Sequence, residues 1–271
     1  MDKVHAQRLW DSESSRWGEM AEVNVNNNAF LQLLDQLGSL KAQARVLDVG
    51  CGAGRFTVAI ARHCREALGV DLSEAMIRQA QKRAQHAGLI NARFMCAAWQ
   101  DIGLEELGPG TFDTVFAHMT DAINSRETAR KMTLASKNLC VLQMWQIRRN
   151  VALHAAFAAA GYLDALDHRL PLLEVEAFLK ESGLQYEKVL KTQTRPFKKT
   201  VDDALSFCLM RIPKTILSDK CIAKMRQALE PFARNGVIEL DAEEDVLTLI
   251  WRVKTVSYTH LRDHETGDYL V

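Results

Sequence analysis

The sequence lacks a charge excess, a paired-cysteine motif, a leader-like N-terminus and any long apolar run. Each absence removes a class of protein. Lys plus Arg and Asp plus Glu number 34 each in 271 residues, so the formal charge is zero. A dedicated binder of DNA or another polyanion carries a basic excess, which disfavours that class while leaving room for a local basic patch. The six cysteines, at 51, 64, 96, 140, 208 and 221, form no CxxC pair and no Cys/His group at zinc spacing. They read as scattered core thiols of a reducing compartment, and no metal is expected. The N-terminal "MDKVHAQRLWDSESSRWGEM" has no charged stretch leading into an apolar one, and nowhere do 18 or more apolar residues run together. Secretion and membrane spanning are not expected, and the cytoplasm is the expected location. No internal repeat and no low-complexity linker interrupts the chain.

What is present is an alternation of short apolar runs with helical patterns. "RVLDVG" (45–50), "EALGVDL" (66–72), "ARFMCA" (92–97), "FDTVFAHM" (112–119) and "LCVLQMW" (139–145) read as strands. Between them, Phe56, Ala59, Ile60 and His63 recur at helical spacing, Ser73 caps a helix closed by Gly88, and Ser125 caps another. Strands alternating with helices imply right-handed crossovers and a parallel sheet. A helical lead of about 40 residues, including "NNNAFLQLLDQLGSL", precedes this core. After it, "LLEVEAFLKESG", "TVDDALSFCLMRI" and "CIAKMRQALEPFA" read as helices. "LQYEKVLKTQTRPF" and "EDVLTLIWRVK" read as two late strands, expected to pair antiparallel at one edge around a helical insertion. The last residues, 256–271, "VSYTHLRDHETGDYLV", resemble translated sequencing-adapter DNA. They are set aside as a non-native tail, together with His260, Asp263 and His264, which only mimic a metal cluster.

The chemistry is concentrated in "VLDVGCGAGRF", Val46 to Phe56. Gly50, Gly52 and Gly54 follow a strand at G-x-G-x-G spacing, which allows a sharp turn and close approach of a ligand to the backbone. A dinucleotide fingerprint requires a third glycine where Arg55 stands, so a pyrophosphate cofactor is disfavoured. Asp48, just before the glycines, would repel a pyrophosphate but suits a cationic amino group. Asp71, about 20 residues beyond the glycines, stands where an acidic residue accepts ribose hydroxyls, or where it serves only helix entry. A ribose and an ammonium without phosphates describe S-adenosylmethionine.

These stretches, with "ALGVDLSEAMIRQA" and "FDTVFAHM", resemble the successive motifs of class I S-adenosylmethionine-dependent methyltransferases over Val46 to Trp145. "LWDSESSRWGEMAEVN" is similar to the lid segment of small-molecule members. The resemblance implies an α/β, Rossmann-like three-layer sandwich. Its mostly parallel seven-stranded sheet would run in order 3-2-1-4-5-7-6, with strand seven antiparallel. It implies a lid over 1–44, a cofactor-binding core over 45–145 and substrate-side helices, insertion and final strands over 146–255. Gly50, Cys51, Gly52 and Gly54 would line the methionine and ribose, with Asp48 near the amino group and Asp71 on the ribose. Leu72 and Met76 would lie at the adenine. The family's G-D-A-x-x-L turn reads "CAAWQDI" here, with Ala97 in place of the Asp. Backbone groups of Ala98 and Trp99, or Asp101 reaching back, would then serve the adenine.

His118 and Met119 would end strand four beside the sulfonium. His118 reads either as a substrate-facing general base or as a hydrogen-bonded wall residue. Trp99 reads either as an adenine contact or as packing, and Trp10 and Trp17 either as lid anchors or as substrate platforms. "KVLKTQTRPFKK" reads as a solvated edge strand guarded by lysines rather than a nucleic-acid groove. "HMTD" replaces the D/N-P-P-Y/F/W tetrad of base amino methylation. The Pro-Cys dipeptide of cytosine C5 chemistry and the paired-glutamate loop of arginine methyltransferases are both missing. The expected partner is therefore a small-molecule methyl acceptor, with no membrane and no nucleic acid. The competing readings are a nicotinamide-dependent oxidoreductase, a non-catalytic S-adenosylmethionine-binding regulator, and an RNA or protein methyltransferase acting through Lys191 to Lys199.

Overall fold

The computed structural model describes residues 3–108, 110–163, 167–212 and 215–253. The expected non-native segment 256–271 lies outside them. Five strands run parallel: β1 (Arg45–Val49), β2 (Glu66–Asp71), β3 (Ala92–Cys96), β4 (Phe112–His118) and β5 (Ser136–Arg149). Three more follow, β6 (Tyr186–Thr200), β7 (Ala233–Arg234) and β8 (Val237–Arg252). The sheet order is β3-β2-β1-β4-β5-β8-β6, with β8 antiparallel to both neighbours and β7 paired to β8. With β8 in the seventh place, this is the expected order. The sheet has eight strands rather than seven because Asn235 and Gly236, both at positive φ, fold β7 back onto β8 as a tight hairpin.

The period of two sorts each strand's side chains between two helical layers. Val46, Phe116, Leu139 and Val141 face one side, packed with α2 (Ala29–Gln36) and α3 (Arg55–Ala61). Leu47, Val115, Cys140 and Leu142 face the other, packed with α6 (Arg126–Ala135) and α8 (Arg169–Glu181). In sequence, α1 (Lys3–Gly18) precedes these, α4 (Glu74–His86) follows β2, and a single turn α5 (Leu104–Leu107) precedes β4. Asn28 caps α2 and Ser73 caps α4 through side-chain oxygens, as helix starts require.

β6 (15 residues) matches the alternation over 184–197 with its ends moved two to three residues onward, whereas β8 (16 residues) starts seven residues before the expected 244–254. They continue as a ribbon beyond the other strands. A separate small core clothes the ribbon's end, with α7 (Val151–Ala159), α9 (Val201–Leu209) and α10 (Asp219–Leu229) burying Phe157, Cys208, Met225 and Ile238. α9 and α10 form the expected insertion between the late strands. The Ala-rich α7, "VALHAAFAA", is an element that sequence periodicity does not reveal, because it is apolar all round rather than on one face. No helix of the described residues is long and apolar enough to cross a membrane.

Candidate functional site

Between β1 and β4 the strand order reverses, which leaves a crevice at the carboxyl ends of the strands, the usual ligand position in such sheets. Here that crevice opens into a cavity of about 700 Å³. The loop after β1 forms its wall. In that loop the backbone N–H groups of Gly50 and Cys51 donate to Val70 O, that of Gly52 to Asp71 Oδ2, and that of Gly54 to Cys51 O. A pyrophosphate-binding turn needs such donors free to point at the ligand. Here they are spent holding the loop against β2, so the turn presents shape and carboxylates instead.

Two of the glycines do different work. Gly52, at φ +52°, has open space where a Cβ would lie, so the cavity reaches its backbone. Gly54, at φ +74°, is the N-cap of α3, and a Cβ there would stand 2.7 Å from Ala80 Cβ of α4. It permits helix contact and does not line the cavity.

Asp48, one residue before the end of β1, and Asp71, at the end of the neighbouring β2, are both buried. Burial raises the Asp48 carboxyl to about 7, against the lowering effect of the Thr57 hydroxyl, which donates to it at 2.6 Å. The charge of Asp71 adds to the rise. Burial also raises Asp71, although it accepts 2.9 Å hydrogen bonds from the N–H groups of Gly52 and Ser73. Neither carboxylate has a cationic partner among the described residues. Two such groups in one wall suit a ligand bringing an ammonium and hydroxyl donors, and they oppose a phosphate.

His118 ends β4 between the rings of Phe30 and Phe56, at 4.4 and 4.3 Å between centroids. Burial, then the charges of Arg195 and Arg55, hold its imidazole down at about 3, against a hydrogen bond to Gln143. Gln143 Nε2 in turn donates to Thr248 Oγ1 at 2.8 Å. His118 is therefore neutral near pH 7, and in this arrangement it is a weak proton acceptor rather than the general base considered from sequence. The next residue, Met119, takes the left-handed conformation at φ +53°, uncommon outside glycine.

Asp48, Gly50, Cys51, Gly52, Asp71, Leu72, Met76 and His118 all line the cavity, and Gly54, Ala98 and Trp99 do not. The structure places Trp99 in the core. Its Nε1 donates to Thr128 O at 3.1 Å, and the Lys131 amine lies 5.6 Å over its ring. Ala98 is buried beside it, and Asp101 pairs with Lys3 of α1 instead of reaching back. The Cys51 thiol is pushed up by burial and by Asp48, so it stays protonated.

The N-terminal segment roofs the cavity with Trp10, Trp17 and Met20. Asp11 fixes it by accepting from Ser73 Oγ at 2.5 Å, and Arg83 by donating to the carbonyls of Gly18 and Met20. Trp17 Nε1 is buried without a hydrogen-bond partner among the described residues. The opposite wall comes from the segment read as a solvated edge strand: β6 is the last strand of the sheet and mostly exposed, and its Val189, Lys191, Gln193 and Arg195 line the cavity. Their spacing of two was visible, but the identity of the covered face was not.

The profile of the family described as "Methyltransferase domain" matches residues 40–184, just over half of the chain. The ubiquinone biosynthesis O-methyltransferase of Methylococcus capsulatus is 35% identical over 114 residues, 41% of this chain and 44% of that protein. The 23S rRNA (uracil(1939)-C(5))-methyltransferase RlmD of Aeromonas salmonicida is 40% identical over 79 residues, 28% of this chain and 18% of that protein. The chain thus spans less than half the length of these curated relatives. Among solved structures, the YcgJ protein of Bacillus subtilis superposes with a TM-score of 0.54 at 19% identity, over 82% of this chain and 96% of that one. The turn, the two strand-end carboxylates and the family match agree: the chain belongs to the class I S-adenosylmethionine-dependent methyltransferase family.

Proposed function

We propose that this chain moves a methyl group from S-adenosylmethionine to a small-molecule acceptor by in-line displacement. The observation that carries the reading is the extent of the cavity. It runs from Asp48 and Asp71, past His118, to β6 under a roof of α1 and α2 residues. Its volume of about 700 Å³ falls within the roughly 300–1,000 Å³ of small-ligand sites. Lys188 and Lys198, on β6, are paired with Glu176 and Glu239, which does not favour a continuous groove for RNA.

Asp48 holds the ammonium, and Asp71, braced by the Gly52 and Ser73 N–H groups, accepts the ribose hydroxyls. Gly50, Cys51 and Gly52 shape that wall, and Leu72 and Met76 cover the adenosine. The bound cofactor supplies an activated methyl group, so the chain's task is alignment and exclusion of water, worth up to about 7–11 kcal/mol. Trp10 and Trp17 close the site from 1–44, the core over 45–145 holds the donor, and the later strands hold the acceptor. His118 is a wall residue in contact with the reacting region. Being neutral, its imidazole has a ring nitrogen that can accept from a hydroxyl or amine.

Isothermal titration with S-adenosylhomocysteine and with NADH tests the donor assignment. Saturable binding of the first and none of the second is expected, and NADH binding alone would overturn it. Transfer of labelled methyl to members of a small-molecule panel, and not to RNA, tests the acceptor class.

A further inference from the structure

The cavity is electrically polar from end to end. Its floor is a grid set by strand register. His118, Gln143, Thr248 and Val189 form one row across β4, β5, β8 and β6. Trp145, Val246 and Lys191 form the next, and Gln193 lies opposite Glu244 in the one beyond. Four strand spacings separate β1 from β6 in this order. At 4.7–4.9 Å each, they put roughly 19 Å between the carboxylate end and the β6 end.

The β6 end carries cations in excess. Glu244 is buried and is the one carboxylate against both Arg148, at 3.0 Å, and Arg195, at 3.3 Å. Its Oε2 also accepts from Trp145 Nε1 and Gln193 Nε2. Lys191 faces the cavity with no ion-pair partner among the described residues. The outward residues of the same strand differ, since Lys188 and Lys198 each have a carboxylate. Arg148 feels Arg195 as a like charge beside its partner Glu244, and Arg211 behind it is lowered to about 10 by burial and Arg148, against the opposite pull of Glu13 and Asp121. Trp145, with the Arg148 guanidinium 4.7 Å over its ring, supplies a flat wall next to these charges. Two arginines sharing one carboxylate, beside a lysine with no ion-pair partner among the described residues, leave positive charge over to recognise a carboxylate or phosphate.

We propose that the methyl acceptor carries an anionic group, a carboxylate or a phosphate, which Lys191 and Arg195 hold at the end of the cavity away from Asp48 and Asp71. This rests on the donor reading above. The donor's charges match one end, and the acceptor's anion matches the other, so each ligand is directed to its own half. Trp145 and Phe56 flank the space between, which suits an anion attached to a flat or apolar body.

The test uses protein saturated with S-adenosylhomocysteine and titrated with benzoate, benzamide and phenyl phosphate. At least one anion is expected to bind about tenfold more tightly than neutral benzamide, and the tighter of the two anions identifies the group. Lys191→Gln and Arg195→Gln are each expected to reduce that preference several-fold while leaving S-adenosylhomocysteine affinity unchanged. Equal binding of benzoate, phenyl phosphate and benzamide, no anion binding at millimolar concentration, or a preference that survives both substitutions would overturn the proposal. Failure of S-adenosylhomocysteine itself to bind would instead overturn the donor reading.

Discussion

The Thr57 hydroxyl of α3 donates a 2.6 Å hydrogen bond to Asp48 Oδ2 inside a buried pocket, and it is the side-chain partner that Asp48 has among the described residues. One neutral hydrogen bond does not offset the desolvation of a carboxylate, so Asp48 holds its proton up to about pH 7. In the unfolded chain it loses that proton near pH 4. Between those values the folded state binds the extra proton, so Asp48 makes the unliganded protein less stable as pH rises, by on the order of 4 kcal/mol at most. Thermal melts at pH 5 and 8 will show a larger loss for the wild type than for Asp48→Asn, which keeps the Thr57 contact. An ammonium beside Asp48 reverses the balance. Affinity for S-adenosylhomocysteine will rise with pH up to about 7, with release of up to one proton, measurable by titration in two buffers of different ionisation enthalpy.

Asp71 joins the loop and the ligand. Its oxygens take the N–H groups of Gly52 and Ser73, and a ribose diol would use the lone pairs that remain. Asp71→Ala will weaken S-adenosylhomocysteine binding by about 1 kcal/mol or more, the scale of a hydrogen bond to a charged group. Unchanged affinity in a folded variant would remove Asp71 from the cofactor site.

The glycine loop gives a paired comparison. Gly54→Ala forces a Cβ against Ala80 in a left-handed conformation, so it will cost about 2 kcal/mol or more of stability in denaturant titration. Gly52→Ala meets no protein atom within 4 Å and will cost only about 1 kcal/mol. Its methyl projects toward the cavity, so it will lower S-adenosylhomocysteine affinity at least several-fold.

The strand–helix alternation and the β1 loop were legible because local periodicity and turn chemistry decide them. Asp48, Asp71 and Arg55 were informative for the same reason, since their meaning depends on distance along the chain from the glycines. Lys191 and Arg195 were not. Their alternation in β6 was plain, but both faces of that strand look polar, and only its register against β8 decides which set meets the cavity. His118 was legible as a position and not as a chemical state, because Phe30, Phe56, Arg55 and Arg195 arrive from three other elements, α2, α3 and β6.

Trp99 separates packing from recognition. Its indole is buried under α6, bonded to Thr128 O, while Lys131 donates to the carbonyls of Trp99, Gln100 and Ile102 around it. This turn is therefore clamped from the α6 side and has its tryptophan away from the cavity. Trp99→Phe removes one buried hydrogen bond and some ring volume, and will lower stability by about 1–2 kcal/mol. S-adenosylhomocysteine affinity will stay within twofold, because the backbone around Ala98 remains held by Lys131. A drop of tenfold or more at unchanged stability would return the indole to the adenine and would require this turn to rearrange when the cofactor binds.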